Sequence, residues 1–163
     1  LQERPGASKE EMDRVVDTLH RLRREETPAI LAGVLGGKLA EGVDYPGNIL
    51  DAVVCIGLPL PPPSSRQDAL RSYCEERYGK QSAWRYASSQ PAVNRLLQAI
   101  GRPIRKAADR ALVVLLEKRL LQRGYKFCLP KGVHLVESID SDRTERHAER
   151  FFRNNPDPAK HIE

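Results

Sequence analysis

Met12, Val15, Val16, Leu19 and Leu22 recur at steps of three and four residues, with charged positions between them. This spacing predicts an amphipathic helix over about residues 9–25 with one buried stripe. Ser8 precedes it and Glu11 follows three positions later, a capping box in which each side chain satisfies the other's backbone N–H. Thr27-Pro28 then breaks the periodicity, because proline lacks the N–H that a helix needs. Three short continuous apolar runs follow, at residues 29–35, 52–58 and 111–116. Each suits a strand covered on both faces of a sheet. The first run opens into the glycine-rich stretch of residues 36–47, which reads as a loop. The second ends in Pro59-Leu60-Pro61-Pro62-Pro63, which cannot continue a hydrogen-bonded ladder and reads as a rigid exit.

Residues 67–78 and 91–100 read as helices, residues 120–126 as a short helix or turn, and residues 133–136 as a last short strand. Residues 142–153 read as a charged helix with little apolar face, and residues 154–158 as a frayed end or connector. Buried strands alternating with helices predict an α/β domain, a parallel sheet with helices on both faces. We expect one such domain over residues 1–140, with a charged helix and tail over 141–163. Ligands of these sheets bind at loops beyond the carboxyl ends of strands, which is where the 36–47 loop lies.

Charge sharpens this picture more than composition does. The net charge is only +5, but residues 95–131 hold ten Lys and Arg against Asp109 and Glu117. An excess of about eight positive charges in one stretch attracts phosphate. A solvated basic face with no ligand is the plain alternative. Cys55, Cys74 and Cys128 are far apart and make no metal-ligand spacing with the four histidines, so no metal site is expected here. Cys55, inside Val53-Val54-Cys55-Ile56, reads as a small core residue. A reducing, intracellular compartment fits such cysteines: cytoplasm, or the nucleus in a eukaryote. No apolar run approaches the roughly 20 residues that cross a bilayer, so no membrane partner is expected. The polar N-terminus does not read as a signal peptide, and without an initiator Met it reads as cut from a longer protein.

Residues 33–39 imitate a phosphate-binding P-loop, which requires G-x-x-x-x-G-K-[ST]. Ala32 stands where the first glycine belongs, and Leu39 stands where a hydroxyl must hold magnesium. We reject a P-loop on those grounds. No other segment offers one, and nothing resembles a DEAD- or DEAH-type metal box.

A different pair of segments is informative. Gly36-Gly37-Lys38-Leu39-Ala40-Glu41-Gly42-Val43-Asp44-Tyr45-Pro46-Gly47 is followed about fifty residues later by Gln98-Ala99-Ile100-Gly101-Arg102-Pro103-Ile104-Arg105. This pair resembles motifs V and VI of superfamily-two helicases, in the wording of the XPD-like DNA helicases and their bacterial DinG relatives. Gly57-Leu58-Pro59, Pro91-Ala92 and the strand end Glu117-Lys118-Arg119 extend the resemblance over roughly residues 28–131. At the last of these the family usually has Asp-x-Arg, so Glu117 departs mildly from the pattern.

The resemblance implies a RecA-like second motor domain of an ATP-dependent DNA helicase that moves 5′ to 3′ on single-stranded DNA, with DNA repair the expected setting. ATP and Mg2+ would be bound mainly by a first motor domain, which would also carry an iron–sulfur cluster. This chain alone would then be inactive. Phosphoryl transfer gains about 10³–10⁵ in rate from an arginine finger. The resemblance gives that role to Arg102 and Arg105, with Gln98 positioning the γ-phosphate. Gln98, Arg102 and Arg105 would share a helical face, but Pro103 ends or kinks the helix near Arg102. We expect the two arginines at a helix end facing the cleft. Gly36 and Gly37 would let backbone amides approach a phosphate with no side chain in the way. By resemblance Gly37, Glu41 and Asp44 belong to the ATP side of this loop, and Gly36 and Lys38 to the DNA side. For Asp44, simple loop capping is the alternative. Between the motifs, Trp84, Tyr73, Tyr78 and Tyr86 lie among Arg77, Lys80 and Arg85, a composition suited to stacking on unpaired bases. Packing is the commoner use of such rings.

Two other functions remain open on the residues. A stand-alone basic nucleic-acid-binding module would need no ATP and would bind single strands tightly by itself. A small-molecule α/β enzyme would use the 36–47 loop, but the chain offers no nucleophile–base pair or metal set for it.

Overall fold

The computed structural model describes residues 1–4, 6–43, 45, 47, 49–104, 106 and 109–156. The chain forms two units, Leu1–Pro130 and Lys131–Glu163. In the first unit, α1 (Lys9–Arg24) begins at the expected capping box: Ser8 Oγ accepts from the Glu11 amide at 3.2 Å, and the Glu11 carboxylate accepts from the Ser8 amide at 2.7 Å. Its buried stripe, Met12 and Leu19 flanked by Val15 and Val16, packs on Leu39, Val43, Tyr45 and Ile49. The first helix therefore supports the glycine-rich loop from below.

β1 (Ala52–Ile56) and β2 (Leu112–Leu116) pair in parallel, with Ala52 opposite Leu112 and Ile56 opposite Leu116. This pairing with its intervening helices makes the unit α/β. Arg23, near the end of α1, meets Asp51 at 2.6 Å just before β1. Between the strands run α3 (Ser65–Tyr78), α4 (Lys80–Trp84) and α5 (Gln90–Ile100). A single-turn helix, α2 (Lys38–Glu41), precedes them. A wide turn of π-helix, Arg85–Ser89, joins α4 to α5. The Gln67 amide, from α3, donates to the Ala87 carbonyl at 2.7 Å and the Ser88 hydroxyl at 3.1 Å, which satisfies polar groups inside that wide turn. Val93, Leu96 and Leu120 are among the most deeply buried side chains. After β2 come a 3₁₀ turn, Lys118–Leu121, and α6 (Arg123–Lys126). Cys55 is buried in β1, and burial raises its thiol pKa, as for an unreactive core residue.

Three expectations are corrected. Residues 29–35 are not a strand: Ile30 is 84% and Val34 69% exposed. A strand needs a ladder, and this run finds only the N-terminal residues, with Glu3 N–H donating to the Ala32 carbonyl and Ala32 N–H to the Leu1 carbonyl. That yields a single bridge, Gln2 to Ala32. Residues 133–136 also form no strand, and Val136 is exposed. The two strands are not covered on both faces either, since Val54, Ile56 and Leu116 are exposed. Apolar content supports a strand but cannot supply the neighbour that pairs with it or the layer that covers it.

In the second unit, α7 (Ser141–Asn154) is capped by Asp140, whose carboxylate accepts from the Arg143 amide at 2.6 Å. Phe151 and Phe152 contact edge to face near its end. Residues 157 and 158 of the expected frayed end lie outside the described residues.

Candidate functional site

The glycine-rich loop is not loop throughout. Gly36 turns the chain at φ +89°, a conformation that side-chain-bearing residues rarely adopt. Gly37 then caps α2, its amide donating to the Val34 carbonyl at 2.7 Å. Any Cβ at Gly37 would lie 2.6 Å from the Glu3 carboxylate and 2.9 Å from the Val34 carbonyl, so only glycine fits. The Glu3 carboxylate accepts from the Val34 amide at 3.1 Å and the Lys38 amide at 2.8 Å. An anionic group thus already sits on amides of this loop, and the donor set is chemically suited to an anion.

The rest of the loop is anchored from inside. Tyr45 is 4% exposed, and its hydroxyl donates to the Leu39 carbonyl at 3.0 Å. Burial, with Glu3 nearby, pushes this phenol up to about 12. The Lys38 ammonium donates to the Ala7 carbonyl rather than standing free at the surface. Oε1 of Glu41 is buried and finds no hydrogen-bond partner among the described residues, and a Cβ added at Gly36 would lie 3.8 Å from it.

The second motif joins this loop through one side chain. Helix α5 ends at Ile100 with Gly101 as its cap, so Arg102 lies beyond the helix, and Pro103 is deeply buried. The residue before a proline is disfavoured in helix, which explains the stop. The helical face proposed for Gln98, Arg102 and Arg105 is therefore not continued past Gln98, which lies exposed on α5. The Arg102 guanidinium donates to the Ala40 carbonyl at 2.9 Å, to the Glu41 carbonyl, and at 3.5 Å to the Val43 carbonyl. The Ala40 and Glu41 carbonyls end the single turn α2, whose last acceptors have no partner within the helix. A planar fork of donors suits several carbonyls at once. Residues about sixty positions apart are brought together this way. Arg105 and Asp44 lie outside the described residues.

At the end of β2, Glu117 accepts from the Arg119 backbone at 2.9 Å and from its guanidinium at 2.8 and 2.5 Å. Hydrogen bonds from Arg119 hold the Glu117 carboxyl below its ordinary range. Trp84 is 50% exposed at the end of α4. Among the described residues, no group of three or more His, Cys, Asp and Glu is placed to hold a metal ion, and no helix is long and apolar enough to cross a membrane. Sequence reasoning missed Glu3, which has no local signal. It also passed over Tyr45 as an anchor, although a lone ring amid glycines was a visible clue.

The comparisons with known proteins agree with the two motifs. The family described as the helicase C-terminal domain matches residues 2–135. The chain is similar to the ATP-dependent DNA helicase DinG of Photobacterium profundum, 35% identical over 69% of this chain and 15% of that protein. It is 36% identical to the ATP-dependent DNA helicase CHL1 of Candida glabrata, over 76% of this chain and 16% of that one. It is 31% identical to the ATP-dependent DNA helicase XPD of Sulfolobus acidocaldarius, over 68% of this chain and 20% of the relative. The chain thus spans a fifth or less of the length of these relatives. With motifs, geometry and relatives in agreement, this chain belongs to the helicase C-terminal domain family, in the XPD- and DinG-like group.

Proposed function

We propose that the chain is the second, RecA-like motor domain of an ATP-dependent DNA helicase of the XPD and DinG type, over residues 1–140 with a charged helix and tail beyond. The observation that carries this reading is the Arg102 fork, which locks the second motif onto the carbonyls of the first. Two motifs that must act together on one nucleotide are thereby held as one body. ATP, with Mg2+, supplies the free energy of phosphoryl transfer, and a first motor domain holds most of its contacts. An iron–sulfur cluster belongs to that first domain in this reading.

The residues divide the work as follows. Arg105 is the arginine finger, supplying fixed positive charge to the transferring phosphoryl group. Arg102, engaged on three carbonyls here, sets the glycine-rich loop, and acts as a second finger if those bonds release. Gln98, exposed at the end of α5, orients the phosphate. Gly37, Glu41 and Asp44 form the nucleotide side of the loop. Gly36, Lys38 and Trp84 form the side that meets single-stranded DNA. The Glu3 carboxylate occupies loop amides that a phosphate oxygen would otherwise take. DNA repair is the setting that this reading favours.

The test is ATP hydrolysis, with and without single-stranded DNA, by this chain alone and mixed with its first motor half. Activity only in the mixture, lost in Arg105→Ala, is the expected result. Hydrolysis by the chain alone refutes the half-motor reading. Tight single-strand binding with no activity in a well-formed mixture replaces it with a stand-alone basic nucleic-acid-binding module.

A further inference from the structure

Between the two motifs, and again after β2, exposed aromatic rings stand beside guanidinium groups. Tyr78 and Tyr86 have ring centres 4.7 Å apart, tilted by 48°. The Arg85 guanidinium lies 5.7 Å from the centre of the Tyr86 ring. The π-helical turn packs against α6, and the Gln90 side chain just after that turn donates to the Cys128 carbonyl at 3.1 Å. The neighbour of Cys128 in the chain is Phe127, whose ring has the Arg123 guanidinium 5.4 Å from its centre. Tyr78 is 52%, Tyr86 44% and Phe127 60% exposed, so about half of each residue stays open beside these contacts. Two ring–guanidinium pairs, separated in sequence by about forty residues, are thus brought near each other by the packing of that turn on α6.

A ring needs an apolar flat face as its partner, and a guanidinium beside it needs an anion. Unpaired bases on a phosphate backbone supply both at once. A duplex does not, because its bases are already stacked on each other. An acidic peptide would meet the guanidiniums but leave the rings bare. The surrounding charge agrees: residues 80–131 contain twelve Lys and Arg and only two acids.

We propose that Tyr86 and Phe127, with Arg85 and Arg123, form a stacking surface for the bases of single-stranded DNA, built from residues other than the glycine-rich loop. This deepens the helicase reading and rests on it.

The experiment uses the intact helicase and fluorescent oligothymidine. Affinity is measured for wild type, Tyr86→Ala, Phe127→Ala and Phe127→Tyr, with melting temperatures checked for each. Ultraviolet crosslinks to thymine are mapped by mass spectrometry. The expected result is a loss of about tenfold in affinity for each alanine, with Phe127→Tyr within about twofold of wild type. Crosslinks are expected on the peptides that carry Tyr86 and Phe127. Wild-type affinity in both alanine variants overturns the proposal, as does a Phe127→Tyr loss equal to that of alanine. If the wild type binds oligothymidine and hydrolyses ATP with it while the rings prove silent, the stacking surface fails and the helicase reading stands. If the wild type neither binds nor responds to oligothymidine, the helicase reading fails and takes this proposal with it.

Discussion

Replacing Arg102 by alanine removes the donors that serve the carbonyls of Ala40, Glu41 and Val43. The bond to Val43, at 3.5 Å, is at the limit of geometry and counts for little. The other two are charge-assisted, and hydrogen bonds to charged groups contribute about 1.5–3 kcal/mol each. The site is only partly buried, so water can replace some of what is lost, and the lower end applies. Two bonds at that end amount to about 3 kcal/mol. That is a large share of the about 5–15 kcal/mol that holds a typical domain folded. For a chain of this size each kcal/mol moves the melting temperature by about 2–4 °C, so Arg102→Ala should melt about 6–12 °C lower. Arg102→Lys keeps the charge and one point donor, and should recover about half of the loss. Thermal unfolding followed by circular dichroism reads this directly. An Arg102→Ala chain that melts with wild type, while the same change abolishes ATP hydrolysis in the intact helicase, would refute the clamp. Arg102 would then act on phosphate rather than on the loop.

Two further outcomes test the supports of that loop. Ser8→Ala removes the acceptor for the Glu11 amide and should cost about 1 kcal/mol, read by urea unfolding, with Ser8→Asp close to wild type. Tyr45 has its folded value raised from 10.0 to about 12, so the fold favours the neutral phenol. Its contribution is complete below the unfolded value and is lost as pH climbs through the folded one. Stability measured across that alkaline window should therefore fall more steeply in wild type than in Tyr45→Phe, and equal slopes would contradict the burial of the phenol.

Local signals in the chain determined a good deal. The ends of α1 follow from Ser8, Glu11 and Pro28, because caps and breakers act within one helical turn. α3 and α5 lie close to the helices read over residues 67–78 and 91–100, and β1 and β2 occupy two of the three apolar runs. The two helicase motifs were legible because their chemistry demands particular residues at particular spacing. Only tertiary structure decided the rest. Residues 29–35 are as apolar as β2, yet they found a single bridge, because pairing depends on which backbone arrives alongside. The Glu3 carboxylate reaches the Lys38 amide across 35 positions, and Arg102 reaches the Ala40 carbonyl across 62. The Gln90 side chain likewise meets the Cys128 carbonyl across 38 positions only because the π-helical turn and α6 come together. Hydrogen bonds and ring contacts over such separations carry no periodicity; they form only after the hydrophobic core has brought distant backbone within reach of a side chain.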